Sequence, residues 1–364
     1  MADRAKTRKP PMPLVQSHRA RLLGDVGGTN TRFAWQAEFG APVEHLRTLR
    51  SADHASLEAA LLHYLRQIDK PIPREASIAM ANPVLGDWVR MTNHTWAFSI
   101  AAMKASLGLD KLLILNDFNA IALSLTALGP DDVRQVGQGS PRADGPRGVI
   151  GPGTGLGVSG LLPDGHGGWI PIQGEGGHVT LPARTTRERL VVEWLGRRHG
   201  HVSAERAISG AGLVDIYRAL RDIDGDDHAQ SAAQPTPHND VQPAAQPTAH
   251  AGADLAADQI TAAALADSNA TAIEAVALMC AFLGTVAGDL ALTLGATGGI
   301  YIGGGIIPRL GECFDRSPFR ANFEAKGRFS SYVAAIPTFV IVRAISPALL
   351  GVQRALDADS AVNG

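Results

Sequence analysis

Glycine turns that carry an acid or a hydroxyl have the clearest chemistry in this chain. The first, Gly24-Asp25-Val26-Gly27-Gly28-Thr29, follows an apolar stretch and resumes as Phe33-Ala34-Trp35. Glycine lets the backbone approach a phosphate closely, Thr29 adds a hydroxyl donor, and Asp25 can hold a magnesium ion directly or through its waters. The segment fits neither a Walker site nor a dinucleotide fingerprint, because it lacks the P-loop ending and opens no helix. By itself it fits a phosphate clamp and an ordinary hairpin turn equally well.

The same pattern occurs twice more along the chain. The apolar strand Gly148-Val149-Ile150 enters a second glycine run at residues 151–157, and a third cluster occupies residues 298–308. The first two copies lie about 125 residues apart, which suits one domain-sized duplication rather than a solenoid. Three glycine turns next to strands therefore indicate a nucleotide site.

Asp117 is the candidate general base. It follows Asn116 directly after the apolar strand Leu112-Leu113-Ile114-Leu115, at the strand end where open α/β sheets place their ligands. A sugar hydroxyl has a pKa far above neutrality, so its attack on a phosphoryl group needs a carboxylate to accept the proton. The alternative is a helix N-cap, since Asp is favoured there and a helix is predicted from Phe118. The two roles are compatible.

A second polar segment, Gly174-Glu175-Gly176-Gly177-His178, combines a carboxylate with an imidazole. Its spacing is that of a metal-ligand pair on a helix, but the two intervening glycines disfavour a helix and no second copy completes a di-iron site. We therefore expect a loop in which Glu175 and His178 bind neighbouring hydroxyls of a polyol. Solvated turn residues remain the alternative.

Two further segments have the composition of a sugar site. Thr92-Asn93-His94-Thr95-Trp96 places hydrogen-bonding side chains beside an aromatic ring, although that ring could equally fill the core. Glu205 is either a sugar ligand or a plain surface acid near Arg206, and the sequence does not choose between them.

Other segments predict alternating helices and strands. Apolar residues at helical spacing between Leu57 and Ile68 predict a helix, Ser77-Ile78-Ala79-Met80-Ala81 a buried strand, and Ser99 the N-cap of another helix. The most apolar stretch, residues 275–288, is shorter than the roughly 20 residues that a bilayer requires, so we expect a buried core helix. Its Gly284 and Gly288 would let a neighbouring element approach closely.

Composition narrows the class of protein further. The chain has 364 residues, 45% of them hydrophobic, which is enough for two domains. Its formal charge of −2 provides no global field to recruit nucleic acid or a membrane. Two cysteines, Cys280 and Cys313, cannot form a disulfide framework or a structural zinc site, so we expect a cytoplasmic protein. Residues 1–20 predict a disordered basic leader, and residues 224–258, rich in Ala, Gln and Pro, a disordered surface insert.

On these segments the chain resembles the bacterial glucokinases, which are ATP-dependent hexose kinases of the actin and hexokinase superfamily. The resemblance runs from about Arg21 to Leu356, apart from the insert. The motifs that carry it are the first glycine turn, Gly86-Asp87-Trp88-Val89 with Met91 and the segment 92–96, Asn116-Asp117-Phe118, Gly153-Thr154-Gly155-Leu156-Gly157, the Glu175–His178 segment and Gly303-Gly304-Gly305-Ile306.

The resemblance implies a role for each candidate residue. Asp117 would be the base for the 6-hydroxyl of glucose, and Mg²⁺ would span the phosphates of ATP beside Asp25. The sugar would be bound by Asn93, Asn116, Glu175, His178 and Glu205. ATP would be bound by Gly24, Asp25, Val26, Gly27, Gly28, Thr29, Gly153, Thr154 and Gly155, with Gly304 bordering the adenosine. A related repressor and kinase group has a zinc-binding cysteine cluster that this sequence lacks, so we expect no zinc.

The resemblance also implies an α/β fold of the two-domain actin/hexokinase type, a duplicated ribonuclease H-like architecture around a cleft. Residues 21–128, completed by a C-terminal helix at 344–358, would form the smaller domain, and residues 129–343 the larger. A homodimer is the family expectation, with no nucleic acid or membrane partner.

Three alternatives remain open. The chain could phosphorylate another hexose, such as mannose or an amino sugar, and polyphosphate or ADP could use similar turns as donor. A sugar-sensing regulator without turnover would need a DNA-binding module, for which the segment before Arg21 is too short and proline-rich. A silent sensor should also tolerate loss of Asp117, which is present.

Overall fold

The computed structural model describes residues 17–92, 94–232, 255–343 and 345–362. Backbone contacts divide the chain into two compact units. Unit 1 contains the residues up to Ala127 together with those from Ala344 onward, and unit 2 contains Leu128–Arg343. Asn93, most of the predicted leader and most of the predicted insert lie outside the described residues.

Strands and helices alternate through both units. The strands are β1 Ser17–Val26, β2 Asn30–Gln36, β3 Val43–Arg50, β4 Pro73–Met80, β5 Trp88–Arg90, β6 Ala97–Ser99, β7 Lys111–Asn116, β8 Val133–Val136, β9 Arg147–Pro152, β10 Leu156–Pro163, β11 Trp169–Ile172, β12 Ile300–Ile302 and β13 Thr338–Ile341. The helices are α1 Leu57–Gln67, α2 Ile100–Leu107, α3 Asp117–Ser124, α4 Thr186–His199, α5 Gly210–Ala232, α6 Ala257–Leu265, α7 Ala270–Leu294, α8 Ile307–Leu310, α9 Glu312–Asp315, α10 Phe319–Glu324, α11 Ser330–Ala334 and α12 Pro347–Val362.

The main sheet of unit 1 has five strands in the order β3-β2-β1-β4-β7. Leu22 and Leu23 are both fully buried, because Leu22 faces the core that includes α1 while Leu23 faces the one that includes α12. Strands covered on both faces read as continuous apolar runs, which is the pattern of β1 and β4. Strands β1, β4 and β7 are parallel, so their carboxyl ends share one edge, with Val26, Met80 and Asn116 in register.

The predicted helices and strands of unit 1 are confirmed. Helix α1 buries Leu57, Leu61 and Leu65 on one face, and Ser99 caps α2 by accepting a hydrogen bond from the backbone of Ala102. The C-terminal helix α12 packs on α3 and completes this unit. It runs from Pro347 to Val362 rather than over the predicted 344–358.

Unit 2 has a six-stranded sheet in the order β11-β10-β9-β12-β13-β8. Its antiparallel hairpin β9–β10 pairs Gly151 with Gly157 and repeats the antiparallel hairpin β1–β2 of unit 1. The third glycine cluster lies against this hairpin. Gly304 has φ +76°, and a Cβ there would lie 2.2 Å from the carbonyl oxygen of Pro152, so only glycine fits at this approach.

The core helix of unit 2 is longer than the apolar stretch that predicted it. Helix α7 has 25 residues, enough by length and composition to cross a membrane, so length does not separate the two possibilities. Burial separates them: 72% of the most apolar 18-residue stretch of α7 is buried within the protein, so the predicted buried core helix is confirmed. The close approach at Gly284 is confirmed: a Cβ there would lie 2.1 Å from the carbonyl oxygen of Phe319 in α10.

Two segments predicted to be disordered contain regular structure at their ends. Strand β1 begins at Ser17, inside the predicted leader, because it pairs with β4 in a parallel ladder and buries Ala20. Helix α5 continues through Asp224 to Ala232, and α6 begins at Ala257. A helix that has nucleated on a buried face, as α5 has, extends into a polar, alanine-containing sequence at little cost in free energy. An ion pair between Arg187 and Asp224 also holds this part of α5.

Candidate active site

Asp25 lies at the end of β1 and is held by two donors. Its Oδ2 accepts hydrogen bonds from the Arg32 guanidinium at 3.1 Å and from the Ser346 hydroxyl at 2.8 Å. Arg32 stands directly opposite Asp25 in the β1–β2 register, and its side chain is 42% exposed. Sequence reasoning missed both partners. The hairpin spacing pointed to Arg32, whereas nothing local pointed to Ser346, which comes from the far end of the chain.

The first glycine turn divides into packing residues and exposed residues. A Cβ at Gly24 would lie 3.0 Å from the Ile78 side chain, and Val26 is buried in the core. The N–H of Gly27 donates to the carbonyl of Asn30 at 2.9 Å and closes the turn. Gly28 is half-buried and the side chain of Thr29 is exposed, so the tip of the turn is the part that a phosphate could reach.

The carboxylate of Asp25 suits a magnesium ion. Magnesium in phosphoryl-transfer sites takes one or two carboxylates and fills its other positions with water and substrate phosphates. The two hydrogen bonds to Asp25 both use Oδ2, and the side chain is 15% exposed beside the glycine turn. Across the described ranges, no group of three or more His, Cys, Asp or Glu side chains is arranged to hold a metal ion by itself.

Asp117 begins α3, but Asn116 is the residue that caps the helix. The Oδ1 of Asn116 accepts from the backbone N–H groups of Phe118 at 2.9 Å and Asn119 at 3.2 Å. Asp117 is the first helical residue, so the alternative in which it is itself the N-cap is wrong. Its Oδ1 accepts from the Asn116 amide at 3.1 Å and from the Phe118 N–H at 3.0 Å. Such contacts orient the carboxylate at the positive end of the helix.

Asn82 is a polar residue at this sheet edge that directly follows the predicted strand Ser77–Ala81 and that sequence reasoning did not single out. Its side chain is buried, and its Oδ1 accepts from the Thr92 N–H at 2.6 Å and from the Thr92 hydroxyl at 2.8 Å. Its backbone oxygen accepts from the Asn116 amide at 3.3 Å. The signal was available, since Asn82 follows a buried parallel strand next to the one that ends at Asn116.

Trp96 belongs to the core rather than to an open sugar face. The residue is 2% exposed, and its indole N–H donates to the carbonyl of His54 at 3.0 Å. The ring of His94 stands edge-on to the indole ring, with the two ring centroids 4.7 Å apart. The reading in which this ring fills the core is therefore the right one. Asn93 lies outside the described residues.

In unit 2, Glu175 precedes a single turn of 3₁₀ helix at Gly176–His178 and His178 ends it, and both side chains are exposed. The expected absence of an α-helix at this position is confirmed. The turn lies against β10, because a Cβ at Gly177 would stand 2.0 Å from the carbonyl oxygen of Leu156. The glycines thus let the segment pack on the strand that follows the second glycine turn.

Glu205 lies against that same glycine turn. Its Oε2 accepts from the backbone N–H of Leu156 at 2.9 Å, and a Cβ at Gly155 would lie 2.4 Å from this oxygen. The reading of Glu205 as a plain surface acid was therefore wrong. Ala204 N–H donates to the carbonyl of Val179 at 2.8 Å, which ties the Glu205 segment to the one that carries Glu175 and His178.

The second glycine turn is stabilised mainly by its own backbone. Gly153 N–H donates to Gly155 at 2.8 Å, and the carbonyl of Gly153 accepts from Gly210, the first residue of α5, at 2.9 Å. Thr154 is exposed at the tip. The turn therefore presents a hydroxyl and lies beside the start of a long helix, two features that favour an anion.

Comparison with known proteins points to one protein family over most of the chain. The sequence profile described as Glucokinase matches residues 22–359. The glucokinase of Aromatoleum aromaticum is 50% identical over 338 residues, which are 93% of this chain and 94% of that protein. The glucokinase of Neisseria meningitidis serogroup C, strain FAM18, is 44% identical over 347 residues, 95% and 97% of the two chains.

A solved structure agrees with these sequence relatives. The crystal structure of a glucokinase from an Antarctic psychrotroph has a TM-score of 0.79 at 30% identity, and it covers 93% of this chain and 99% of the other. The resemblance to bacterial glucokinases and the α/β fold of the actin/hexokinase type are thereby confirmed.

Proposed function

The chain belongs to the glucokinase family and is a glucose kinase, and we propose that it transfers the γ-phosphoryl group of MgATP to the 6-hydroxyl of D-glucose. The observation that supports the chemistry most directly is the carboxylate of Asp117, oriented at the start of α3 by the Asn116 amide and the Phe118 N–H. The products would be glucose 6-phosphate and ADP.

Asp117 acts as the general base. It accepts the proton of the 6-hydroxyl while that oxygen forms a bond to the γ-phosphorus, and the bond from the γ-phosphorus to the leaving oxygen of ADP breaks. Two hydrogen bonds to one carboxylate oxygen restrict its rotation, so the proton acceptor does not have to be ordered during the reaction.

Asp25 would hold the magnesium ion, directly or through water. The ion, when bound, neutralises negative charge on the phosphates. Arg32, next to Asp25, adds a positive charge to the same turn. The tips of the two glycine turns would cradle the phosphates through residues 24–29 and 153–155, and Gly304 would border the adenosine. The packing of Gly304 on Pro152, at the start of the second turn, supports this grouping.

The sugar hydroxyls would be bound by Asn93, Asn116, Glu175, His178 and Glu205. The grouping of the last three rests on the backbone hydrogen bond between Ala204 and Val179. Exposed Glu175 can accept from hydroxyls, and His178 can donate to or accept from them. Asn116 uses its oxygen to cap α3 and its Nδ2 to donate to Asn82 and Asp117, so to bind a hydroxyl it would exchange one of these two acceptors for the sugar.

We further propose that the protein acts in the cytoplasm as a homodimer, needs no zinc, and has no nucleic acid or membrane partner. Two free thiols, one buried and one half-buried, support a reducing compartment. Units 1 and 2 would be the smaller and the larger domain of the kinase. Sedimentation of the purified protein tests the dimer.

A coupled assay of ADP release tests the reaction itself. We expect the purified full-length chain to release ADP only when glucose and MgATP are both present, and ³¹P spectra to show glucose 6-phosphate. Mannose, glucosamine, polyphosphate and ADP are tested in parallel. Absence of glucose-dependent turnover would refute the proposed function, and faster turnover of another hexose would reassign the substrate.

A further inference from the structure

We propose that Asn82 is a positioning residue for glucose: its buried side-chain amide holds Thr92, and its backbone carbonyl accepts from Asn116, at the edge of the unit 1 sheet. The inference rests on the proposed function, in which Asn116 and Asn93 bind the sugar. Asn82 itself touches no reacting atom in this scheme and acts through Asn116 and through Thr92, which precedes Asn93 in the chain.

The side chain of Asn82 contacts the segment that leads to Asn93, and its backbone oxygen contacts Asn116. Its Nδ2 donates to the carbonyl of Arg90, and its Oδ1 accepts from both the N–H and the hydroxyl of Thr92. Its backbone oxygen accepts from the Nδ2 of Asn116 at 3.3 Å. The same Nδ2 donates to Asp117 at 3.1 Å, so Asn82 helps to direct the amide that orients the proposed base.

The topology explains why this tie is needed. Strands β5 and β6 form a separate two-stranded sheet, and the loop between them is closed at its base by the Met91 N–H donating to the carbonyl of Trp96 at 3.0 Å. In the part of the chain that the structure describes, no hydrogen bond of a sheet ladder joins this hairpin to the five-stranded sheet. The Asn82 amide bridges the two at the point where Thr92 precedes Asn93.

Only an amide of this length satisfies the arrangement. The carbonyl of Arg90 requires a donor, while the two donors of Thr92 require an acceptor. An aspartate at position 82 would place a carboxylate oxygen, which has no proton to donate, against the Arg90 carbonyl. An alanine would remove the hydrogen-bond partner of the Arg90 carbonyl and of both Thr92 donors. Because Asn82 is only 8% exposed, water cannot readily replace what is lost.

The test separates positioning from stability. In the Asn82→Ala variant we expect the KM for glucose to rise about tenfold or more, with a smaller fall in kcat and an unchanged KM for MgATP. The matched control is Gln36→Ala, which also removes a buried amide that donates to a backbone carbonyl, that of Ala41 at 2.9 Å, but at the other end of the β1–β2 hairpin. The control should lose thermal stability while its KM for glucose stays within twofold.

A second pair of variants decides the matter if Asn82→Ala does not fold. Thr92→Val removes only the hydroxyl that donates to Asn82, whereas Thr92→Ser keeps it. We expect the valine variant to raise the KM for glucose and the serine variant to restore it. An unchanged KM for glucose in Asn82→Ala, or in Thr92→Val if the alanine variant is unfolded, overturns the inference alone. A wild-type chain that neither binds nor phosphorylates glucose overturns the proposed function as well.

Discussion

The carboxylate of Glu205 accepts a hydrogen bond from the backbone N–H of Leu156 at 2.9 Å, although 49 positions separate the two residues in the chain. The contact joins a proposed sugar ligand to the turn that is proposed to bind phosphate. In unit 2 the two sites are therefore neighbours through one side chain, and a change at Glu205 should be felt by both substrates.

Replacing Glu205 by Gln or by Ala should separate these two effects. Glu205→Gln keeps an oxygen that accepts from Leu156 but loses the charge, so we expect the KM for glucose to rise about tenfold with little change in the KM for MgATP. Glu205→Ala loses both and should raise both constants. Steady-state kinetics measure this, with the exposed acid variant Glu193→Gln as control. Identical effects of the two Glu205 variants on MgATP would argue against the link.

Removing the carboxylate of Asp117 should slow the chemical step while sugar binding survives. We expect Asp117→Asn to lower kcat by about 10²–10⁴ and to leave the Kd of glucose, measured by calorimetry, within a few-fold. Asp110→Asn is the control, because Asp110 is a surface acid, paired with Arg74, at the opposite end of β7. Near-normal turnover in Asp117→Asn would show that another group is the base.

Asp25→Asn should weaken the use of MgATP more than the binding of glucose. The amide loses a charge that can attract magnesium, so the Mg²⁺ concentration for half-maximal activity should rise about tenfold. Arg32→Gln breaks the same ion pair but keeps the carboxylate, and it serves as the comparison. If both variants shift the Mg²⁺ dependence equally, or if Asp25→Asn weakens glucose binding as much as MgATP use, Asp25 has a structural role only.

Two glycines of the segment 174–178 should respond differently to the same substitution. A Cβ at Gly177 would lie 2.0 Å from the carbonyl oxygen of Leu156, whereas a Cβ at Gly174 meets nothing within 4 Å. We expect Gly177→Ala to lower the free energy of unfolding by about 1–3 kcal/mol and to raise the KM for glucose, with Gly174→Ala close to wild type. Thermal unfolding and kinetics give the comparison, and equal behaviour of the two variants would contradict this packing.

The buried thiol of Cys280 should be inert in the native protein. Burial raises its pKa from 9.0 to about 12, so at pH 8 a thiol reagent should modify only half-buried Cys313 until the protein unfolds. The raised pKa also has a consequence for stability. As the pH rises, the Cys280 thiol loses its proton in the unfolded chain before it does so in the native protein. The stabilisation that the neutral buried thiol contributes to the free energy of unfolding is therefore complete below pH 9. It is lost as the pH rises toward 12, at no more than about 1.4 kcal/mol per pH unit. Denaturant unfolding of Cys280→Ala should lack this slope, and a matching slope would refute the assignment.

Local patterns predicted many of the elements and the residue types of the site. The apolar spacing of Leu57, Leu61 and Leu65 and the cap at Ser99 depend on neighbours within one or two turns, and both predictions are confirmed. The length of α7 could not be predicted from the apolar stretch, since its ends continue through residues that are less apolar. The resemblance to the family was carried by short motifs, and it too was recognisable from the sequence.

The sequence by itself therefore determined the glycine hairpins, the alternation of strands and helices, and the family, because each depends on residue type and short spacing. The tertiary structure alone decided what each polar group contacts. Long-range pairing placed Ser346 on Asp25 and Leu156 on Glu205, burial placed Trp96 in the core, and parallel strand ends brought Asn82 to Asn116. Hydrogen bonding and burial act through space, so residues far apart in the chain decide them together.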